Sequence, residues 1–172
     1  MEAPELTTKI FERNAVRLEE ALDGLNDEDL LIRPEAHSNP AGWLAWHATR
    51  TADLIAEAIS GETQAWLAGG WRERIAPQFG DRDTGFGHTV EQVASLRAGK
   101  DDLLGYLHAV RERIGACLAG LTPSDLNREV PHYREGRVTV ASLLVILATD
   151  FNQHAGQIAY LRGHLKGPGW RN

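Results

Sequence analysis

Cysteine is almost missing from this chain. Cys117 is the only one in 172 residues, so no internal disulfide can form, and the cysteine count gives no sign of an oxidising compartment. Basic charge is in deficit too: the formal net charge is −6. Binding a polyanion needs a basic stripe, so a nucleic-acid partner is not expected, and a membrane-surface role fails for the same reason. No apolar run reaches the roughly 18 residues of a spanning helix. The first residues, Met1 to Glu5, are acidic and lack an apolar core, so no secretory signal is expected and the cytoplasm is the expected compartment. There is no Ser-His-Asp order, no glycine-rich phosphate loop and no zinc-finger cysteine set. Strand signals are missing as well, which leaves an all-α class.

What is present is an ordinary globular composition, 42% hydrophobic and 24% charged, long enough for one domain over residues 1–172 with a substantial core. Four long helical segments can be read. In the first, about Pro4 to Asp23, Phe11, Ala15, Leu18, Leu22 and Leu25 recur at steps of four and three and draw an apolar stripe; Gly24 is the expected stop. The second opens at Asn39-Pro40, with Asn39 as N-cap and Pro40 in the first helical position. It runs to Ser60-Gly61 along a seam of Leu44, His47, Thr51, Leu54 and Ala58. A glycine-rich stretch, 69–88, follows and reads as a long irregular loop of the kind that forms lids or binding loops. Thr89 and Gln92 then form a capping-box pattern. The third helix, with an expected break at Gly99, continues through Leu103, Leu107, Val110, Ile114, Cys117 and Leu121. The fourth runs from about Thr139 to Gly163 or just beyond, before Gly167-Pro168-Gly169. Up to that stop the pattern describes a four-helix bundle with a long loop between helices 2 and 3. A weak internal repeat, Gly24–Leu30 against Gly120–Leu126, is open to two readings: two similar helix–turn–helix halves, or two independently capped turns.

The fourth seam reads Leu143, Leu147, Asp150, His154, Gln157, Leu161. Charged and polar groups there are costly to bury without a partner. Asp150 and His154 are four apart and therefore share one helix face. His47 occupies the seam of the second helix. Two imidazoles and a carboxylate form a plausible three-ligand set for Zn²⁺, Ni²⁺, Fe²⁺ or Mn²⁺, with a position left for water or substrate. The plainer alternative is a hydrogen-bonded polar network with no ion. Trp43 and Trp46 are expected in the core; Trp71 and Phe79 are candidates for a pocket wall. Cys117 reads as a small buried hydrophobe. His132, beside Tyr133 and Arg134, is expected in an exposed loop. His37, His108 and His164 carry no signal.

Trp43-Leu44-Ala45-Trp46-His47, the run Thr84–Val93, and above all Asp150–Gly163 resemble the DinB-like superfamily, specifically the branch related to mycothiol-dependent maleylpyruvate isomerases. The resemblance covers nearly the whole chain in order and spacing. It implies a four-helix bundle with one divalent metal ion, zinc first among the candidates, held by His47, Asp150 and His154. Many relatives have His at the Asp150 position and the maleylpyruvate isomerases have Glu; this chain has the shorter carboxylate. The resemblance further implies a metal-dependent thiol S-transferase that joins a low-molecular-weight, mycothiol-type thiol to an electrophilic small molecule. A thiol-dependent isomerase and a non-catalytic metal-binding or stress-response protein are the alternatives. Gln157 is expected to orient a ligand or to support His154, and His88 to close over the site or simply to flank the Thr89 cap. A homodimer is left open.

Overall fold

Phe11, Ala15, Leu18 and Leu22 are fully buried along one side of α1 (Ala3–Asp23), so the stripe of period 3.6 meets the core as its spacing requires. The computed structural model describes residues 1–132 and 134–167; Tyr133 and the expected Pro168-Gly169 stop lie outside the described residues. The other long helices are α2 (Ala41–Ser60), α6 (Lys100–Ala119) and α7 (Val140–Lys166). Shorter helices α3 (Ala65–Ala68), α4 (Trp71–Ile75) and α5 (Val90–Ser95) lie between α2 and α6. Helices α1 and α2 each pack against both α6 and α7, so the four form a bundle in which sequence neighbours α1 and α2 occupy opposite corners. This is the expected all-α architecture.

The two turns of the internal repeat share a capping contact. Both follow a helix that ends on a glycine, Gly24 or Gly120, and both enter a short 3₁₀ turn, Asp29–Leu31 or Pro123–Asn127. In the first, Asn26 N–H donates to Asp29 Oδ2 (2.9 Å) and Asp29 N–H to Asn26 Oδ1 (2.8 Å). In the second, Thr122 N–H donates to Asp125 Oδ2 (2.8 Å). An acid three residues on thus caps each turn with the same chemistry.

Three local expectations are corrected. Pro40, not Asn39, is the N-cap of α2: its backbone is extended and its carbonyl accepts from Leu44 N–H, so the helix begins one residue later. The stretch 69–88 is not wholly irregular. It contains α4, and it is pinned down because Ile75, Ala76 and Phe79 bury themselves. Strands exist: β1 (Glu129–His132) and β2 (Gly136–Thr139) pair antiparallel, with Val130 opposite Val138 and His132 opposite Gly136. Each is only four residues long and β1 contains Pro131, which is why no alternating pattern stood out. The capping box at Thr89 and the break at Gly99 are found as expected.

Helix α7 begins at the Thr139 cap, whose hydroxyl accepts from Ser142 N–H. Its buried stripe is Leu143, Leu147, Phe151, Ala155 and Ile158. The expected seam was therefore one residue off in the middle of the helix. Asp150 and His154 stand half-buried at the edge of the core, and Gln157 is exposed. Helix α2 is buried on almost every side from Ala41 to Ala56.

Candidate metal centre

Helix α2 carries His47 to the point where α7 presents Asp150 and His154. One ligand atom from each lies within 4.8 Å of the others, and this is the cluster of such residues found among the described residues. His47 is 8% exposed; the two α7 groups are half-buried. The His47 and His154 rings meet edge to face with centroids 4.7 Å apart. His154 Nε2 lies 3.4 Å from Asp150 Oδ1.

The outer hydrogen bonds orient the inner atoms. His47 Nδ1 contacts the backbone carbonyl of Thr84. A carbonyl only accepts, so Nδ1 carries the proton and Nε2 turns its lone pair toward α7. His154 Nδ1 donates to Gln157 Oε1 (2.7 Å), again leaving Nε2 on the inside. Burial pulls His47 below the ordinary histidine pKa; the Thr84 bond opposes this, and the His154 charge adds to the drop. Burial pulls on His154 as well, but the hydrogen bond and charge of Asp150, helped by Gln157, outweigh it and raise its pKa.

The fit of these residues to a divalent cation rests on one atom in particular. Asp150 Oδ2 is buried and has no hydrogen-bond partner. A buried, unpaired carboxylate oxygen is costly, and a cation is the partner that would satisfy it. Two imidazole nitrogens and a carboxylate oxygen with outer hydrogen bonds in place form the donor chemistry of zinc and its first-row neighbours. His47, Asp150 and His154 are the residues that would hold the ion.

A cavity of about 300 Å³ opens beside the cluster and is lined by both His47 and Asp150. Its inner wall is apolar, with Leu54, Ile55 and Leu143. Its outer rim is built by Arg82 and Phe86 from the 81–88 loop, and by His132 and Arg134 from the hairpin. The Arg134 guanidinium stacks 3.6 Å above the Phe86 ring, joining loop to hairpin across the rim.

The other expected site residues fall elsewhere. His88 is tucked behind the centre rather than over it. Trp43 Nε1 donates to its Nδ1 (3.3 Å), and its Nε2 faces both Asp83 carboxylate oxygens at 3.0 Å. Trp43 in turn stacks on His47, with centroids 4.9 Å apart and planes 5° apart. Gln157 supports His154 and lines a separate open groove with Gln153 and Tyr160. Phe79 packs against Trp46 and His88, and Trp71 against Tyr106, so neither walls the cavity. His132 is half-buried at the cavity, where an exposed loop residue was expected. Cys117 is half-buried, and burial pushes its thiol pKa up, as suits a packing residue.

Sequence reasoning missed a buried network one turn along α2. Arg50 and Asp53 are both fully buried and 3.4 Å apart. Tyr106 of α6 donates to Asp53 Oδ2 (2.8 Å), while Ala65 and Trp66 N–H donate to the two carboxylate oxygens at 2.9 and 2.8 Å. Arg50 reaches outward to the carbonyls of Asp81 (2.8 Å) and Asp83 (3.1 Å). The signal in the sequence was a pair of opposite charges three apart in a mostly apolar helix.

The fold and site thus define a four-helix bundle with a His-Asp-His cluster between two of its helices. Residues 10–158 match the DinB superfamily model, and the chain belongs to that superfamily. A solved structure described as that of a conserved protein from Enterococcus faecalis is similar at TM-score 0.86 and 26% identity, covering 98% of this chain and 99% of that one. No curated protein matches the chain.

Proposed function

We propose that this protein binds one divalent metal ion, zinc first among the candidates, through His47, Asp150 and His154, and that it is a metal-dependent thiol S-transferase acting on a small electrophile. The observation that carries the reading is the unpartnered, buried Asp150 Oδ2 between two histidines, at the wall of a cavity. A divalent ion bound there would supply a Lewis-acid centre able to lower the pKa of a thiol.

The chain's own residues do the remaining work in this reading. His47 and His154 present inward Nε2 atoms because Thr84 and Gln157 hold the opposite ring nitrogens. Leu54, Ile55 and Leu143 give the electrophile an apolar bed and keep water from it. On the rim, Arg82 is already paired with Glu57 (2.8 Å), and Arg134 is the cation that favours a substrate or cosubstrate with an acidic group.

The test is metal analysis of protein prepared without a histidine tag, followed by turnover of an electrophile with a low-molecular-weight thiol, with and without metal. About one ion per chain and metal-dependent conjugation are expected. Full activity in His47→Ala would overturn the mechanism, and absence of any ion after zinc loading would overturn the binding.

A further inference from the structure

We propose that Arg50 is a positioning residue: it fixes the tautomer and placement of His47 by pinning the loop that carries Thr84. Arg50 lies on α2 one turn beyond His47 and is completely buried. A guanidinium is expensive to bury, and this one divides its donors between two tasks. Inside, it meets Asp53 and the Tyr106 hydroxyl, the latter at 3.0 Å. Outside, Nε and Nη2 donate to the carbonyls of Asp83 and Asp81. Thr84, the next residue, turns its own carbonyl to His47 Nδ1 and is buried with only 2% exposure.

The segment 81–88 has neither helix nor strand to hold it. Its shape therefore depends on side-chain anchors. Arg50 supplies two. Asp83 supplies another pair, accepting from Gly85 N–H (2.7 Å) and from His88 Nε2. Trp43 donates only, so His88 Nδ1 must accept and Nε2 must carry the proton that faces Asp83. Trp43 then presses flat on the His47 ring. His47 is held at its edge by the loop carbonyl and on its face by an aromatic ring, and both holds trace back to Asp83 and Arg50. A histidine side chain free in water prefers the opposite tautomer, with the proton on Nε2. Without the clamp, the nitrogen that faces Asp150 and His154 would more often carry a proton and could not act as a ligand.

The zinc-affinity part of this inference rests on the metal-site reading; the tautomer part does not. Long-range ¹H–¹⁵N NMR on the metal-free protein reports the His47 tautomer directly. Wild type should show a single Nδ1–H form. Arg50→Lys keeps a positive charge beside Asp53 but loses the planar fork. It should stay helical by circular dichroism, show mixed His47 tautomers, and bind zinc at least tenfold more weakly. The double variant Arg50→Met with Asp53→Asn removes both loop anchors without leaving an unpaired buried charge; it should shift both readouts the same way, and it decides the matter if Arg50→Lys fails to fold. Unchanged His47 signals in the folded variants, with melting temperature lowered, would show that the network is merely structural and overturn the proposal. If wild type binds no zinc, the metal reading fails alone, and the tautomer measurement still decides this one.

Discussion

His154 Nε2 and Asp150 Oδ1 stand 3.4 Å apart, while the other Asp150 oxygen is buried with no partner. The pair is half satisfied: a proton on His154 serves one oxygen and nothing serves the other. A cation between the helices would take the place of that proton and reach both α7 groups together with His47. The chemistry of this contact generates the first two predictions.

Zinc should stabilise the protein. At a free concentration about a hundred times the Kd, binding adds about 2.7 kcal/mol, which for a chain of this length raises Tm by about 5–10 °C. Asp150→Asn and His154→Ala should abolish the increment, and a chelator should reverse it in the wild type. Differential scanning calorimetry with and without zinc reads this directly; a Tm indifferent to zinc would count against the site.

Zinc affinity should rise with pH and then level off. The raised pKa of His154 means that near neutrality a proton competes for Nε2, whereas His47, whose pKa is lowered, is already neutral. Below the folded pKa of His154, which lies above 6.5, each unit fall in pH should weaken binding about tenfold, as one proton is displaced per ion. Without metal the two histidines act oppositely on stability. The His154 contribution is present below 6.5 and fades as pH rises through its folded pKa; the His47 penalty appears as pH falls below 6.5. Titration in buffers of different ionisation enthalpy counts the protons released.

Tyr106→Phe should cost about 1–3 kcal/mol at pH 7, because Asp53 loses a buried donor. Burial holds the Tyr106 pKa well above 10, so the folded state keeps a proton that the unfolded chain releases. Stability therefore falls as pH rises past 10. The phenylalanine variant lacks this titration and should lose less stability between pH 9 and 11. Urea melts at pH 7, 9 and 11 test both halves, and parallel pH profiles would refute the assignment.

Gly85→Ala should damage the site from the loop side. Gly85 has φ +89°, and an added Cβ would lie 2.5 Å from Trp43 Cζ2 and 2.8 Å from Trp46 Cζ3. Those rings are core and cannot yield. We expect about 1–3 kcal/mol of destabilisation with weakened zinc binding, since the neighbouring Thr84 carbonyl moves. Gly87→Ala has the same kind of backbone, φ +80°, but open space around it, and should leave zinc affinity nearer to wild type.

The residues of the candidate centre were legible because each breaks a pattern. Histidine at position 47 interrupts an apolar seam, and Asp150 with His154 repeats the helix period in the wrong chemistry. The seam of α7 was misplaced for the same reason: Asp150, His154 and Gln157 keep the spacing of a core stripe although Phe151, Ala155 and Ile158 form it. Arg50 and Asp53 were overlooked because a charged pair three apart on a helix usually sits in water. The hairpin escaped because four-residue strands carry too few side chains to show an alternation.

The four long helices, their approximate limits, the capping box at Thr89, and the shared face of Asp150 and His154 follow from spacing along the chain, because hydrogen bonds and side-chain periodicity within a helix are local. Which helices become neighbours is a different kind of fact. So are the pinning of the 81–88 loop by Arg50, the turning of Thr84 toward His47, and the closing of a cavity between Phe86 and Arg134. All of these join residues distant in sequence, and their energies depend on burial and mutual geometry that no stretch of the chain possesses until the bundle is packed.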